Sequence, residues 1–179
     1  LQQSYLREDS TGWPVITAKH VTDVTADSVA DPFMIHDRGT WFLFYEVCNV
    51  KTKRGEIGVS TSHDLVTWNY GGIVLQEPFH LSYPYVFRSN DVYYMIPESR
   101  QANGIRLYQA QNFPSQWSFV KTLMEGPYVA ASLVEFAARW WLFVAEAPNN
   151  DTLRLFYSDD FSGPWIEHPK SPIISGKPH

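Results

Sequence analysis

The sequence predicts an all-β fold made of a repeated four-stranded unit. A hairpin pattern, in which a polar turn separates two strands that alternate with a period of two, occurs at 31–46, 83–98 and 131–146. After each hairpin, a further strand runs into a polar turn that is closed by tryptophan. These tryptophans are Trp68, Trp117 and Trp165, which are 49 and 48 residues apart. Four antiparallel strands repeated at this interval are typical of the blades of a β-propeller.

The first unit illustrates how each element is assigned. "DPFMIHDRGTWFLFYE" (31–46) supplies two inner strands, because aromatic and β-branched residues alternate with other residues on both sides of an Asp-Arg-Gly turn. "EIGVSTSHDLVTW" (56–68) supplies the third strand and its turn. "GGIVL" (71–75) is the outer strand, with "FVKTL" and "SPIIS" as its counterparts in the later units. We predict a single domain over 1–179, with its strands ordered from inner to outer in blades at 29–76, 82–124 and 130–175.

Three blades make a partial propeller, because propellers close with four to eight blades. "WPVIT" (13–17) adds a fourth outer strand to the three already assigned, and one outer strand is then free to complete a blade of another subunit. Two chains would place six blades around one axis. The sequence therefore predicts a homodimer or another closed homo-oligomer. The alternative is that the chain is a fragment of a five-bladed parent.

Composition excludes several classes of function. The chain of 179 residues has a net charge of −5 and no basic stripe, which argues against nucleic acid and anionic membrane surfaces as partners. No apolar run is long enough for a membrane span. Cys48 is the single cysteine, and the six histidines lack metal-ligand spacing, so we expect neither an intramolecular disulfide nor a metal site. No glycine-rich phosphate cradle is present, and we expect no cofactor.

The opening residues also bear on where the chain resides. "LQQSYLREDSTGW" lacks the basic and apolar regions of a signal peptide and does not begin with methionine. We therefore expect a processed or trimmed product, with a cytoplasmic protein and the mature form of a secreted protein as the alternatives.

Carboxylates cluster where the predicted inner hairpins open. The first residue of one strand and the last residue of its partner lie at the same end, which places Asp31 beside Glu46. The repeat brings Glu98 and Glu146 to the same face, around the propeller axis. Paired carboxylates across a concave site are the acid and base of glycoside hydrolysis. Alternatively, the repeated glutamates accept backbone N–H groups from the next blade as structural clamps.

Asp31 differs from the three glutamates because no other blade repeats it. Tyr83 occupies its place in the second blade, and Ala131 or Ala130 occupies it in the third. We interpret an unrepeated carboxylate as functional. The loop "KTKRGE" (51–56) concentrates charge after the first hairpin; it is either a solvated loop or part of the same upper face.

"ADPF" at the head of an inner strand, followed by "STSHDLVTW", resembles the five-bladed glycosidases of glycoside hydrolase family 43, the arabinanase and β-xylosidase type. "HLSYPYVF", "YYMIPES", "EGPYV" and "SPIISGKPH" are more similar still to the propeller domain of proteins related to glucosamine inositolphosphorylceramide transferase. The resemblance to the glycosidases implies that Asp31 is a general base. It also implies two further carboxyls at the starts of later inner strands, where this chain has Tyr83 and Ala130 or Ala131. Glu125 lies several residues too early for the general-acid position.

Two functions remain open. The first is a glycosidase acting on pentose or furanose glycosides such as an arabinofuranoside or a xyloside, in which Asp31 activates water and Glu98, Glu146 or Glu125 is the acid. The second is a non-catalytic carbohydrate-binding or accessory propeller, in which aromatic and polar side chains stack on and hydrogen-bond a saccharide. The candidates for contacting the saccharide are Tyr45, Glu46, Phe79, His80, Tyr83, Tyr85, Glu125 and His179.

Overall fold

The computed structural model describes residues 15–176, and in this range the prediction of an all-β propeller-type fold is confirmed. Three antiparallel sheets of four strands follow one another along the chain, each ordered from its first strand to its fourth. Two short 3-10 helices, Ala18–His20 and Arg100–Ala102, are the helical elements of the described range. No helix there is long and apolar enough to cross a membrane.

We call the three sheets blades 1, 2 and 3. Blade 1 contains β1 (Ala26–Asp37), β2 (Thr40–Asn49), β3 (Arg54–Ser62) and β4 (Asn69–Leu75). Blade 2 contains β5 (Ser82–Ser89), β6 (Val92–Glu98), β7 (Gly104–Asn112) and β8 (Gln116–Glu125). Blade 3 contains β9 (Tyr128–Phe136), β10 (Arg139–Glu146), β11 (Leu153–Ser158) and β12 (Ile166–Glu167).

The inner hairpins of all three blades close in the same way. In blade 1 the two turn residues are Arg38 and Gly39, with φ angles of 46° and 79°. Blade 2 uses Asn90 and Asp91, and blade 3 uses Ala137 and Ala138, again with positive φ at both positions. Two consecutive positive φ angles are typical of type I′ turns, whose twist matches that of the flanking strands. These short turns fix the register of the inner strands, and thereby the residues that meet at the opposite end.

Adjacent blades are joined by aromatic packing. Phe113 and Trp117 of blade 2 lie against Phe44 of blade 1, with ring centroids 5.9 and 5.8 Å apart. Phe161 of blade 3 lies against Phe87 of blade 2 at 5.4 Å. Buried aliphatic side chains from both sheets fill the rest of each interface. The residues just before or at the repeated tryptophan therefore anchor each blade on the one before it.

Blade 3 presents the same receiving face, and within residues 15–176 no further blade covers it. Ile35, Phe87 and Val134 hold equivalent register positions in their inner hairpins. Ile35 and Phe87 pack into the interfaces with the next blade, whereas the Val134 side chain is 48% exposed. Its exposure marks blade 3 as an open edge of the partial propeller.

Two of the predicted outer strands differ from the structure. The fourth strand of blade 3 is β12, whereas "SPIIS" (171–175) contributes only an isolated bridge from Ile174 to Leu153. The four prolines at 148, 164, 169 and 172 restrict backbone hydrogen bonding through this region. Of "WPVIT", residues 15–17 form a bend rather than a strand, and residues 13 and 14 lie outside the described range. The spare outer strand expected from "WPVIT" is thus not formed by residues 15–17.

Candidate functional site

A bulge opens the first inner strand of every blade. The β1–β2 pairing skips from Ala30 to Phe33, and corresponding skips occur in the other two inner hairpins. The residues inside these skips, Asp31, Tyr83 and Ala130, all have left-handed backbone conformations, with φ of 52°, 46° and 50°. The structure therefore selects Ala130, rather than Ala131, as the counterpart of Asp31. Bulges of this kind re-aim side chains at the rim of a sheet.

Carboxyl groups from neighbouring blades contact these bulges. Asp31 accepts a hydrogen bond at Oδ2 from the backbone N–H of Tyr83, at 3.3 Å. Glu98, at the end of β6, accepts one at Oε2 from the N–H of Ala130, at 3.2 Å. A carboxyl of blade 1 thus binds the bulge of blade 2, and a carboxyl of blade 2 binds the bulge of blade 3. The two carboxyls lie at the same end of adjacent inner hairpins, as the sequence predicted.

The protonation of Glu98 is perturbed by its surroundings. Burial raises the pKa of its carboxyl, and the negative charge of Asp31 raises that pKa further. The Ala130 N–H, His80 and Arg100 act in the opposite direction without cancelling the effect of burial. A carboxyl whose pKa is raised, beside a second carboxyl, is the pairing that general acid–base chemistry requires.

A cavity of about 390 Å³ adjoins Glu98 and is lined by His80, Glu98, Arg100 and Gln101. Arg100 and Gln101 belong to the 3-10 helix that connects β6 to β7. Gln101 Oε1 accepts a hydrogen bond from the His80 N–H at 2.9 Å, which ties this helix to the segment before β5. The cavity therefore combines a carboxyl, a guanidinium, an amide and an imidazole. Side chains of this kind bind the hydroxyl groups of small polar ligands.

Glu46 occupies a different environment from Glu98, although the two are equivalent in register. It is only 8% exposed, and its Oε1 lies 3.1 Å from His80 Nε2. His80 Nδ1 accepts the N–H of Gly55 at 2.9 Å, so the neutral ring carries its proton on Nε2 and donates it to Glu46. Cys48 also donates to Glu46, at 3.2 Å. Glu46 therefore holds blade 1 against the segment that leads into blade 2.

The predicted place of Glu146 is wrong by one residue. In the inner hairpin of blade 3, Ala145 pairs with Val129 and holds the register position of Glu98. Side chains alternate between the two faces of a strand, so Glu146 points to the opposite side of its sheet. There its Oε2 accepts a hydrogen bond from the Nε of Arg154 at 2.7 Å, and the two side chains form an ion pair within blade 3. The skips in pairing are the same in all three hairpins, so the error comes from matching the third repeat at 131–146, one residue later than the structure places it.

The predicted tyrosines lie in or near the blade interfaces. Tyr45 is 2% exposed, and its hydroxyl is hydrogen-bonded to Ser60 at 2.8 Å. The Tyr83 hydroxyl reaches Ser132 of blade 3 at 3.2 Å, and that of Tyr85 donates to the Leu133 carbonyl oxygen. Tyr83 and Tyr85 thus join blades 2 and 3 close to the candidate site.

The remaining predicted residues fall further away. Glu125 ends β8, where it pairs with Gly104 in the outer part of blade 2. The Phe79 ring lies 5.1 Å from the guanidinium carbon of Arg106. His179 lies outside the described residues. Sequence reasoning missed Arg100 and Gln101, since they belong to a loop whose only signal is its position directly after the Glu98 strand.

Comparison with known proteins places the chain in a family. A sequence model described as the N-terminal part of glucosamine inositolphosphorylceramide transferase 1 matches residues 2–179. The chain belongs to this family. It is 39% identical to "Glucosamine inositolphosphorylceramide transferase 1" of Oryza sativa subsp. japonica over 177 residues, and 36% identical to the Arabidopsis thaliana protein of the same name over 183 residues. These matches include 92% and 96% of the chain, but only 24% of the length of either relative.

Solved structures share the fold at low sequence identity. A family 117 glycoside hydrolase, Zg3597 of Zobellia galactanivorans, superposes with a TM-score of 0.70 at 17% identity, over 83% of this chain and 57% of that one. A family 43 glycoside hydrolase of Bacillus licheniformis gives a TM-score of 0.68 at 15% identity, over 92% of this chain and 34% of that one. These likenesses establish the propeller-type fold.

Proposed function

We propose that the chain binds a saccharide in the cavity beside Glu98 and acts on its glycosidic bond through Asp31 and Glu98. The observation that carries this proposal is the unequal carboxyl pair at the open ends of adjacent inner hairpins. Glu98 is partly buried with a raised pKa, and Asp31 lies close enough for its charge to contribute to that shift. Two carboxyls in different environments are suited to different roles in one reaction.

In the proposed reaction Glu98 is the general acid. Its proton moves to the leaving glycosidic oxygen as the bond from that oxygen to the anomeric carbon breaks. Asp31 accepts a proton from the water whose oxygen forms the new bond to that carbon. The hydrogen bonds from the Tyr83 and Ala130 N–H groups orient the two carboxyls, and each leaves one carboxyl oxygen available for the reaction. Arg100 and Gln101 would hold the sugar hydroxyls.

The second candidate function is a non-catalytic saccharide-binding domain. A specific observation favours it: both carboxyls accept a backbone N–H from the next blade, which is also what a purely structural clamp does. Tyr83 and Ala130 moreover stand where the resemblance to family 43 glycosidases calls for further carboxyls. In this alternative the cavity binds a sugar without turnover.

The named relatives and fold neighbours support a carbohydrate ligand in either case. The relatives are named as transferases of glucosamine, and the fold neighbours are titled glycoside hydrolases, one of them a xylan β-1,4-xylosidase. An arabinofuranoside or xyloside remains our predicted substrate class. Because the chain spans 24% of the length of the plant relatives, their named transfer activity is not assigned to it.

Nitrophenyl α-L-arabinofuranoside and β-D-xyloside test the reaction, and calorimetric titration with the corresponding oligosaccharides tests binding. We expect Asp31→Asn and Glu98→Gln each to lower kcat by about 10²- to 10⁴-fold, the usual contribution of a general acid or base. Asn tolerates the left-handed conformation of residue 31 and keeps an oxygen for the Tyr83 N–H. The control is Glu135→Gln, which removes an exposed glutamate of β9.

Three results are distinguishable. Turnover that is lost in both variants, while Glu135→Gln behaves as the parent, supports the acid–base pair. Saccharide binding without turnover favours the second candidate. An absence of both binding and turnover across the pentose and furanose panel contradicts the predicted substrate class.

A further inference from the structure

A second cavity, of about 370 Å³, lies beside the first and shares His80 with it. Its polar wall includes Asp27 at the start of β1, Lys53 of the β2–β3 loop and Arg54 at the start of β3. The two cavities therefore form neighbouring compartments separated by one imidazole. A ligand larger than a single sugar ring could occupy both.

The loop that carries these cations is held in place by its own hydrogen bonds. Asn49 and Arg54 pair across the β2–β3 hairpin, and the Lys53 N–H donates to the Asn49 carbonyl oxygen at 2.8 Å. The Asn49 side-chain oxygen accepts the N–H of Lys51 at 2.9 Å. The side-chain nitrogen of Asn49 also donates to both carboxylate oxygens of Glu56, at 3.1 and 3.0 Å. The positions of Lys53 and Arg54 are thus set by the backbone of a well-bonded turn.

Neither cation has a carboxylate partner within residues 15–176. No aspartate or glutamate oxygen of that range lies within 4.0 Å of the Lys53 or Arg54 charged nitrogens, whereas four arginines there do form such pairs. The Nε of Arg54 is shielded from solvent and has no hydrogen-bond acceptor among the described residues. The Nε of Arg106 is in the same state, so the two unpaired positive charges beside the cavity, and not this nitrogen, indicate an anionic ligand.

An oxyanion in this cavity would supply the negative partner that Lys53 and Arg54 lack among the described residues. Guanidinium groups present a planar fork of donors that matches carboxylate and phosphate oxygens, and Lys53 adds a second positive charge. Arg100, on the wall of the first cavity, is likewise without a carboxylate partner in the described range. Three cations therefore surround the two compartments of a chain whose net charge is −5.

Two acidic groups also belong to this region. Glu46 is buried, accepts hydrogen bonds from His80 and Cys48, and lines neither cavity. Asp27 is exposed and lies on the cavity wall, where its charge opposes an anion. His80 uses both ring nitrogens in protein hydrogen bonds, and its ring separates the two compartments.

We propose that the cavity at Arg54 binds the anionic group of a saccharide, a carboxylate or a phosphate ester, whose sugar ring lies in the cavity beside Glu98. This inference rests on the proposed function, and it narrows the ligand from any saccharide to an anionic one. A carboxylate and a phosphate ester would be bound by the same cationic side chains. Separate probes that carry one group or the other distinguish between them.

Four probes test the inference by calorimetric titration of the whole chain: D-glucuronate, α-D-glucose 1-phosphate, D-glucose and inorganic phosphate. We expect at least one charged sugar to bind about tenfold more tightly than glucose, since a charge-assisted hydrogen bond is stronger than a neutral one. Arg54→Gln should remove this advantage. Asp27→Asn should increase it severalfold by deleting the opposing charge. Raising the salt concentration should weaken it by screening.

The matched control is Lys51→Gln, because Lys51 is exposed on the same loop and does not line the cavity. If Arg54→Gln and Lys51→Gln change the affinity equally, or if neither charged sugar binds more tightly than glucose, the inference is overturned while saccharide binding stands. If inorganic phosphate binds in an Arg54-dependent manner and no sugar binds, the anion site stands and the proposed function falls. If Arg54→Gln fails to fold, two other variants provide the test. Asp27→Asn should raise the affinity for the charged sugar, and Lys53→Gln should lower it.

Discussion

Gly55→Ala should loosen the upper junction of blades 1 and 2. A Cβ at Gly55 would lie far inside van der Waals contact of the Leu81 carbonyl oxygen, 2.7 Å from Glu46 Oε1 and 2.9 Å from the His80 ring. The first of these is a backbone atom, so the segment before β5 must move away. That movement also breaks the hydrogen bonds from Gly55 N–H to His80 and from Leu81 N–H to the Gly55 carbonyl oxygen.

The magnitude follows from these contacts. Overpacking of a close junction costs about 1–3 kcal/mol, and each of the two lost hydrogen bonds contributes about 1 kcal/mol. We therefore expect the free energy of unfolding to fall by about 3–5 kcal/mol, a large share of the stability of an ordinary domain. Urea denaturation followed by tryptophan fluorescence measures this quantity.

Gly71→Ala is the control for Gly55→Ala. At Gly71 an added Cβ would meet only atoms of Val59, the nearest being a side-chain methyl at 3.0 Å, and the residue is exposed on β4. We expect a loss below about 1 kcal/mol there, as for most exposed substitutions. A loss of that size for Gly55→Ala, or equal losses in the two variants, would refute the assigned role of the Gly55–His80–Glu46 junction.

Three further predictions concern titration, ion pairing and assembly. Burial raises the pKa of Glu98, so between the unfolded and folded pKa values the folded chain binds more protons than the unfolded chain. The free energy of unfolding should consequently fall as pH rises through and above 4.5, and Glu98→Gln should lack this component when denaturation is repeated between pH 4 and 7. Arg154→Met should cost about 0.5–1 kcal/mol by breaking the partly exposed pairs with Glu146 and Glu167, without changing saccharide affinity. Light scattering should give a discrete multiple of 20.6 kDa that Val134→Lys converts to a monomer, whereas a parent chain already monomeric would contradict the predicted oligomer.

The regular parts of the fold could be predicted from the sequence, because each follows from a local pattern. Period-two alternation identifies the inner strands, and the repeated tryptophans give the spacing of the blades. The placement of Asp31 and Glu98 at one end follows from hairpin geometry alone. The error at Glu146 arose because Ala145 takes the equivalent register position in blade 3. A one-residue offset reverses the face on which a side chain lies, and letters in a repeat do not record it.

Burial and long-range pairing were less accessible to sequence reasoning. Tyr45 is as plausible a sugar-stacking residue as any tyrosine, but its place within the core of blade 1 depends on packing by residues far away in the chain. Arg54 and Lys53 were visible only as part of a charged loop. Their lack of carboxylate partners in the described range could be recognised only when the surrounding side chains had been placed. Whether a charged side chain has a partner depends on the folded arrangement of the side chains around it.

The contacts of Asp31 and Glu98 reconcile the structural and chemical roles considered for these carboxyls. Each accepts one backbone N–H from the bulge of the next blade, and each keeps a second oxygen. A carboxyl fixed in this way loses less rotational freedom when a substrate binds, which favours precise acid–base chemistry. Glu46 is the informative contrast, because it has the same register position as Glu98 but is only 8% exposed and accepts hydrogen bonds from the side chains of His80 and Cys48 at Oε1. The difference between the clamp Glu46 and the candidate catalytic Glu98 therefore lies in burial, because Glu46 is enclosed whereas Glu98 borders a cavity. Substitutions at Glu46 should affect folding, and those at Glu98 should affect turnover.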